Sequence, residues 1–170
     1  MLKPSAGRWL RWLGVSLAVL LADLATKAWV TRAFTPGEIR EVTPFFNLVL
    51  VHNSGAAFSF LAGADGWQRW FFTIVTVVIA IVLLVMLKRH HATRLLAFAL
   101  ALLIGGALGN LWDRVSLGHV VDFVQLHVAG YYWPAFNVAD SAISVGVVLL
   151  LWDSVYPAGE KARAARGVKP

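Results

Sequence analysis

Residues 70–87 and 95–112 form two apolar runs, each of 18 residues without a charged side chain, joined by the short basic link KRHHATR. A hydrocarbon layer about 30 Å thick and a rise of about 1.5 Å per residue require roughly 20 mostly apolar residues for one helical crossing. The two runs are therefore expected to form a helical hairpin through a membrane. A third span is expected over about residues 9–34, carrying Asp23 and Lys27 in its second half, and a fourth over about 136–156, which carries Asp140 and Asp153. Of the chain, 59% is hydrophobic and only 14% charged, with a mean hydropathy of +0.70, which excludes an ordinary soluble domain. The fold class that follows is an all-α integral membrane protein with four transmembrane helices in one membrane domain, residues 1–170.

The net charge of +6 could suggest nucleic acid, but the positions of the basic residues point elsewhere, and no nucleic-acid partner is expected. Lys3, Arg8 and Arg11 precede the first span, Lys88, Arg89 and Arg94 link the second and third, and Lys161, Arg163, Arg166 and Lys169 follow the fourth. By the positive-inside rule both termini lie in the cytoplasm, and the connections over about 35–66 and 113–135 face outward. A cleaved N-terminal signal peptide is the alternative for residues before LADLA, but Asp23 and Lys27 stand where such a peptide is small and apolar. In the first outer connection, PFFNLVLV from Pro44 reads as a strand, and Asn53-Ser54-Gly55 as the turn after it. The absence of cysteine excludes disulfides, cysteine nucleophiles and thiolate metal sites.

Ionisable groups at membrane depth are costly, and they normally face a protein interior for a functional reason. They gather here in four places: Asp23 with Lys27, Asn110 with Arg114, Asp122, and Asn137 with Asp140. Topology puts all four at the outer surface, as expected of a single site. Asp23 and Lys27 lie four apart on one helix face and can neutralise one another as structural support. Asn110 and Arg114 can tie a helix end to loop carbonyls. His90 and His91 belong to the cytoplasmic link, while His52, His119 and His127 lack ligand spacing, so no metal or cofactor is expected.

Asp122 and Asp140 have no basic partner at helical spacing. Were a fold to bring them together, the two could not both ionise cheaply, and one proton would be shared. Such a pair can activate water with one member while the other donates to a carbonyl oxygen. Asp140, in the first turn of a helix, is expected to be the ionised base. Their proximity does not follow from spacing.

Five segments in order, DLATK from Asp23, NSGAAFSF from Asn53, GGALGNLWDR from Gly105, GHVVDF from Gly118 and FNVADSAI from Phe136, resemble the bacterial lipoprotein signal peptidases, or signal peptidase II. The resemblance covers nearly the whole chain. It implies a membrane aspartyl endopeptidase of the bacterial cytoplasmic (inner) membrane, with four transmembrane helices and a small extracytoplasmic β-sheet cradle. It implies that Asp122 and Asp140 are catalytic, and that Asn53, Gly55, Asn110, Arg114 and Asn137 bind substrate or orient the site. The implied partners are diacylglyceryl prolipoprotein signal peptides, cut just before the lipidated cysteine, and membrane lipid. The rival readings are a small proton-coupled carrier or channel subunit, which predicts polar residues through the whole membrane depth, and a non-enzymatic scaffold, for which clustered acids have no purpose.

Overall fold

A computed structural model describes residues 7–55 and 66–156. Lys3, the basic tail from Lys161 to Lys169, and the part of the NSGAAFSF motif after Gly55 lie outside the described residues. Four helices form the body: α1 (Leu10–Ala33), α2 (Trp67–His90), α3 (Arg94–Ser116) and α4 (Val138–Val155). Each is long and apolar enough to cross a membrane. A mixed set of connections at one end contributes an antiparallel sheet of β1 (Ile39–Thr43), β2 (Phe46–Asn53), β3 (Val120–Val128) and β4 (Tyr131–Tyr132), in that spatial order.

α3 is the central helix, packed against each of the other three. In lipid the hydrophobic effect does little to bring helices together, so close backbone approach has to do so. The glycines of α3 permit it. A methyl group at Gly105 would lie 2.7 Å from the Ser16 carbonyl oxygen on α1, and one at Gly106 would lie 2.5 Å from the Ala139 carbonyl oxygen on α4. Ser16 also donates its hydroxyl to the Ala101 carbonyl at 2.8 Å, which satisfies a buried polar group between α1 and α3. Leu83 and Leu87 of α2 pack on Ala97, Leu100 and Ile104 of α3 toward the opposite end. A second core of Leu50, Val121 and Phe123 seats the sheet on Val30 and Phe34 at the end of α1.

The helices extend beyond the charge-free runs that marked them. α2 and α3 continue into the basic link, leaving residues 91–93 between them, and α3 reaches Ser116, so residues 113–116 are helical and not part of the outer connection. Charges end an apolar run but not a helix: Arg69 donates to the Arg114 and Val115 carbonyls at 2.8 and 2.7 Å and satisfies acceptors at the C-terminal end of α3. The fourth helix starts at Val138, two residues later than expected, because Phe136 still pairs with Val124 of β3. The strand expected from Pro44 is β2, shifted by two residues. β1, β3 and β4 complete a sheet that only the resemblance had implied.

Candidate active site

Asp122 is the third residue of β3, and Asp140 lies in the first turn of α4. The register of β2 against β3 pairs Asn53 with Val120 and Val51 with Asp122, which brings the Asn53 amide to the Asp122 carboxylate at 3.0 Å. At the start of α4, Asn137 is the N-cap. Its side-chain oxygen accepts from the Asp140 N–H at 2.9 Å, and Asp140 accepts from the Asn137 N–H at 3.3 Å, a reciprocal capping box. The Asn137 amide nitrogen donates to Asp122 at 2.7 Å. One buried asparagine therefore joins the helix that carries one carboxylate to the strand that carries the other.

Asn110 of α3 adds the next link. Its amide nitrogen donates to Asp140 at 2.7 Å, and its oxygen accepts from Lys27 at 3.1 Å and from Asn137 at 3.2 Å. The lysine ammonium can only donate, so it fixes which way the Asn110 amide points. Lys27 in turn sits 2.7 Å from Asp23 and 2.9 Å from Asp113, all three buried. Both acids reach onward to backbone. Asp23 accepts from the Ala139 N–H at 2.9 Å, and Asp113 accepts from the Val121 N–H at 3.1 Å. These are the residues immediately before Asp140 and Asp122, so one ammonium holds the acids that anchor both carboxylate-bearing segments. Gly109 makes room for this: a methyl group there would lie 2.5 Å from an oxygen of Asp23.

The two carboxylates open onto one cavity of about 540 Å³, lined also by Asn53, Asn110 and Arg114 and walled by Trp133, Phe136 and the first turns of α4. Burial, and then the neighbouring charge of Asp140, push the Asp122 carboxyl up to about 7, against the donors Asn53 and Asn137. Asp122 is thus divided between its protonated and ionised forms near neutrality, where an ordinary carboxyl would be ionised. Arg114 spans the cavity wall, donating to the Gly55 carbonyl at 3.2 Å and to the Asn110 carbonyl at 3.4 Å. The Gly55 N–H donates to Asn53 Oδ1 at 3.0 Å, closing the expected turn and aiming the Asn53 amide at Asp122.

All nine residues singled out from the sequence meet in this network, with Asp23 and Lys27 behind Asn110 rather than in the cavity. Lys27 is more than the partner of Asp23, because it serves two acids and an amide. Asp113 was missed; it lies three residues after Asn110 and so on the same helix face, which is the signal that could have found it. Arg69, which holds the end of α3, carried no such signal. His52 stacks on His119 with ring centroids 4.0 Å apart, and His127 stacks on Tyr132.

Residues 15–156 match the family model for signal peptidase (SPase) II. The chain belongs to the signal peptidase II family. It is 52% identical over 156 residues to a lipoprotein signal peptidase of Janthinobacterium sp. (strain Marseille), covering 92% of this chain and 94% of that relative. It is also 52% identical over 153 residues to one of Burkholderia thailandensis, covering 90% and 92%. Two solved bacterial membrane enzymes share the fold. One, solved at 1.9 Å, has a TM-score of 0.76 at 33% identity, covering 87% of this chain and 94% of its own. The other, solved at 2.3 Å, has a TM-score of 0.75 at 35% identity, covering 85% and 89%. Membership makes the chain an aspartic peptidase of membranes and overturns the carrier or channel alternative and the scaffold reading.

Proposed function

We propose that Asp122 and Asp140 are the catalytic pair of a signal peptidase II that cuts diacylglyceryl prolipoproteins just before the lipidated cysteine. The observation that carries this is the Asn137 bridge, which holds two carboxylates from separate elements on one cavity. Asp140 accepts hydrogen bonds at both oxygens at the positive end of α4 and acts as base. It takes a proton from water as the water oxygen bonds to the scissile carbonyl carbon, and Asp122 donates its proton to the carbonyl oxygen. Collapse of the gem-diol intermediate breaks the C–N bond, the proton on Asp140 passing to the leaving amine while Asp122 takes back a proton from a hydroxyl of the intermediate as the new carboxyl forms. Asn53, Asn110 and Asn137 hold the carboxylates, and Arg114 with Gly55 shapes the cavity wall.

The site lies at the outer face of a bacterial inner membrane, with both termini cytoplasmic, where the cleavage point of a membrane-inserted signal peptide would also lie. The partners are the lipid-modified prolipoprotein and membrane lipid, and nucleic acid is not one. The test is cleavage of a synthetic diacylglyceryl prolipoprotein by the purified protein in lipid. Wild type should release the signal peptide with the cysteine at the new N-terminus. Asp122→Asn and Asp140→Asn should fold and leave the substrate intact. Cleavage at another bond, or unchanged turnover by either variant, would refute the assignment.

A further inference from the structure

The turn joining β3 to β4 exposes apolar surface that extends past the catalytic cavity. Tyr131 is 83% exposed, Val128 70% and Phe45 61%, and with Leu126, Tyr132 and Trp133 they border a shallow groove of about 370 Å³. Between Asp122 and Asp140 the chain has no Asp, Glu, Lys or Arg. The opposite edge of the same sheet differs. On β1, Arg40 and Glu41 are exposed among Ile39 and Val42, and Arg40 pairs with Glu38 at 2.6 Å. The sheet thus has one charged edge and one uncharged aromatic edge.

The aromatic edge is continuous with a membrane-spanning helix. Leu126 and Trp133 line both the groove and the catalytic cavity, and that cavity continues along α4 to Val145, which is itself exposed. A water-facing tip would leave this contiguous apolar surface uncovered, which soluble surfaces avoid. Tyrosine and tryptophan, with an apolar ring and a polar tip, favour the boundary between headgroups and acyl chains.

We infer that the β3–β4 tip is an interfacial anchor, seated among the headgroups of the lipid leaflet with Val128 and Tyr131 at the acyl boundary, while the β1 edge faces water. This rests on the membrane placement of the helices and not on the chemistry of the carboxylates. Asp122 lies on the same strand six residues before Val128, so seating the tip sets the depth of that carboxylate relative to the lipid surface.

The chain contains no cysteine, so single cysteines for spin labels can be placed without background. Val128→Cys and Tyr131→Cys would be labelled in the full chain in liposomes, with Glu41→Cys as aqueous reference and Val148→Cys, on the exposed face of α4, as lipid reference. Power saturation with oxygen and with a water-soluble nickel chelate should rank both tip labels with Val148→Cys, oxygen being the more effective relaxant. Nickel accessibility equal to that at Glu41→Cys, at both tip positions, would overturn the anchor. So would protection that arises only on adding a prolipoprotein peptide, which would make the tip a substrate shelf, or protection that is lost on dilution into excess lipid, which would make it a contact between copies of the chain. The two tip positions are independent surface sites, so failure of one to fold leaves the other as the test.

Discussion

Replacing Asp122 with asparagine should destabilise the protein in acid and stabilise it in base. The folded-state value of the Asp122 carboxyl is raised from 3.8 to about 7. A raised folded value means that the native state holds the proton more tightly than the unfolded chain, so its contribution is complete below about pH 4 and is lost as pH rises through about 7. Moving the carboxyl from 3.8 to about 7 corresponds to as much as roughly 4 kcal/mol above about pH 8, shared with Asp140. Asparagine avoids that penalty but cannot accept at both positions. Asn137 and Asn53 donate to the two oxygens of Asp122 at 2.7 and 3.0 Å, and one of them would face an amide nitrogen at a cost of about 1–3 kcal/mol. The variant should then be about 1–3 kcal/mol less stable near pH 4 and more stable by a similar amount near pH 8. At about 2–4 °C per kcal/mol the crossing is readable in thermal unfolding followed by tryptophan fluorescence in detergent. A difference between the proteins that does not change with pH would refute the reasoning.

Lys27→Met should lower stability by roughly 3–5 kcal/mol and activity with it, because it leaves Asp23 and Asp113 buried without a cation; a melting temperature equal to wild type alongside abolished turnover would instead give Lys27 a direct chemical part. Asp113→Asn keeps an acceptor for the Val121 N–H but loses the ion pair, so kcat should fall about tenfold or more with KM little changed, as for a group that positions Asp122. Gly109→Ala should displace Asp23 from Ala139 and cost about 1–3 kcal/mol in unfolding measurements. Reporter fusions at Arg89 should read cytoplasmic and fusions at Tyr131 external, and the reverse pattern would invert the topology.

The helices were legible because their signal is local: 18 uncharged apolar residues admit few other structures. Their ends were less so, since Arg94, Asp113 and Arg114 continue helices past the point where composition changes. The strand β3 was hidden in VVDFVQLHV, where only Gln125 and His127 alternate with apolar residues as in a half-buried strand, while Asp122 falls out of that period and the first four residues are all buried. Of the site, Asn53 and Gly55 in the outer connection came from the family resemblance, whereas Asp23, Lys27, Asn110, Arg114 and Asp140 could be picked out as polar groups within apolar spans. Their arrangement could not. That Asn137 would cap α4 and bridge to Asp122, or that Asp113 would join Lys27, depends on contacts 15 and 86 residues apart in sequence, which pattern reading does not reach and which the family resemblance supplied only as roles.

The central claim is that Asp122 and Asp140 act as one unit, and a double-mutant cycle on prolipoprotein cleavage tests it most directly. With wild type, Asp122→Asn, Asp140→Asn and the double variant assayed as purified, folded proteins in the same lipid, each single change should reduce kcat/KM by orders of magnitude. The double variant should be little worse than either. Losses that multiply, or a single variant that cuts at near the wild-type rate, would contradict the account.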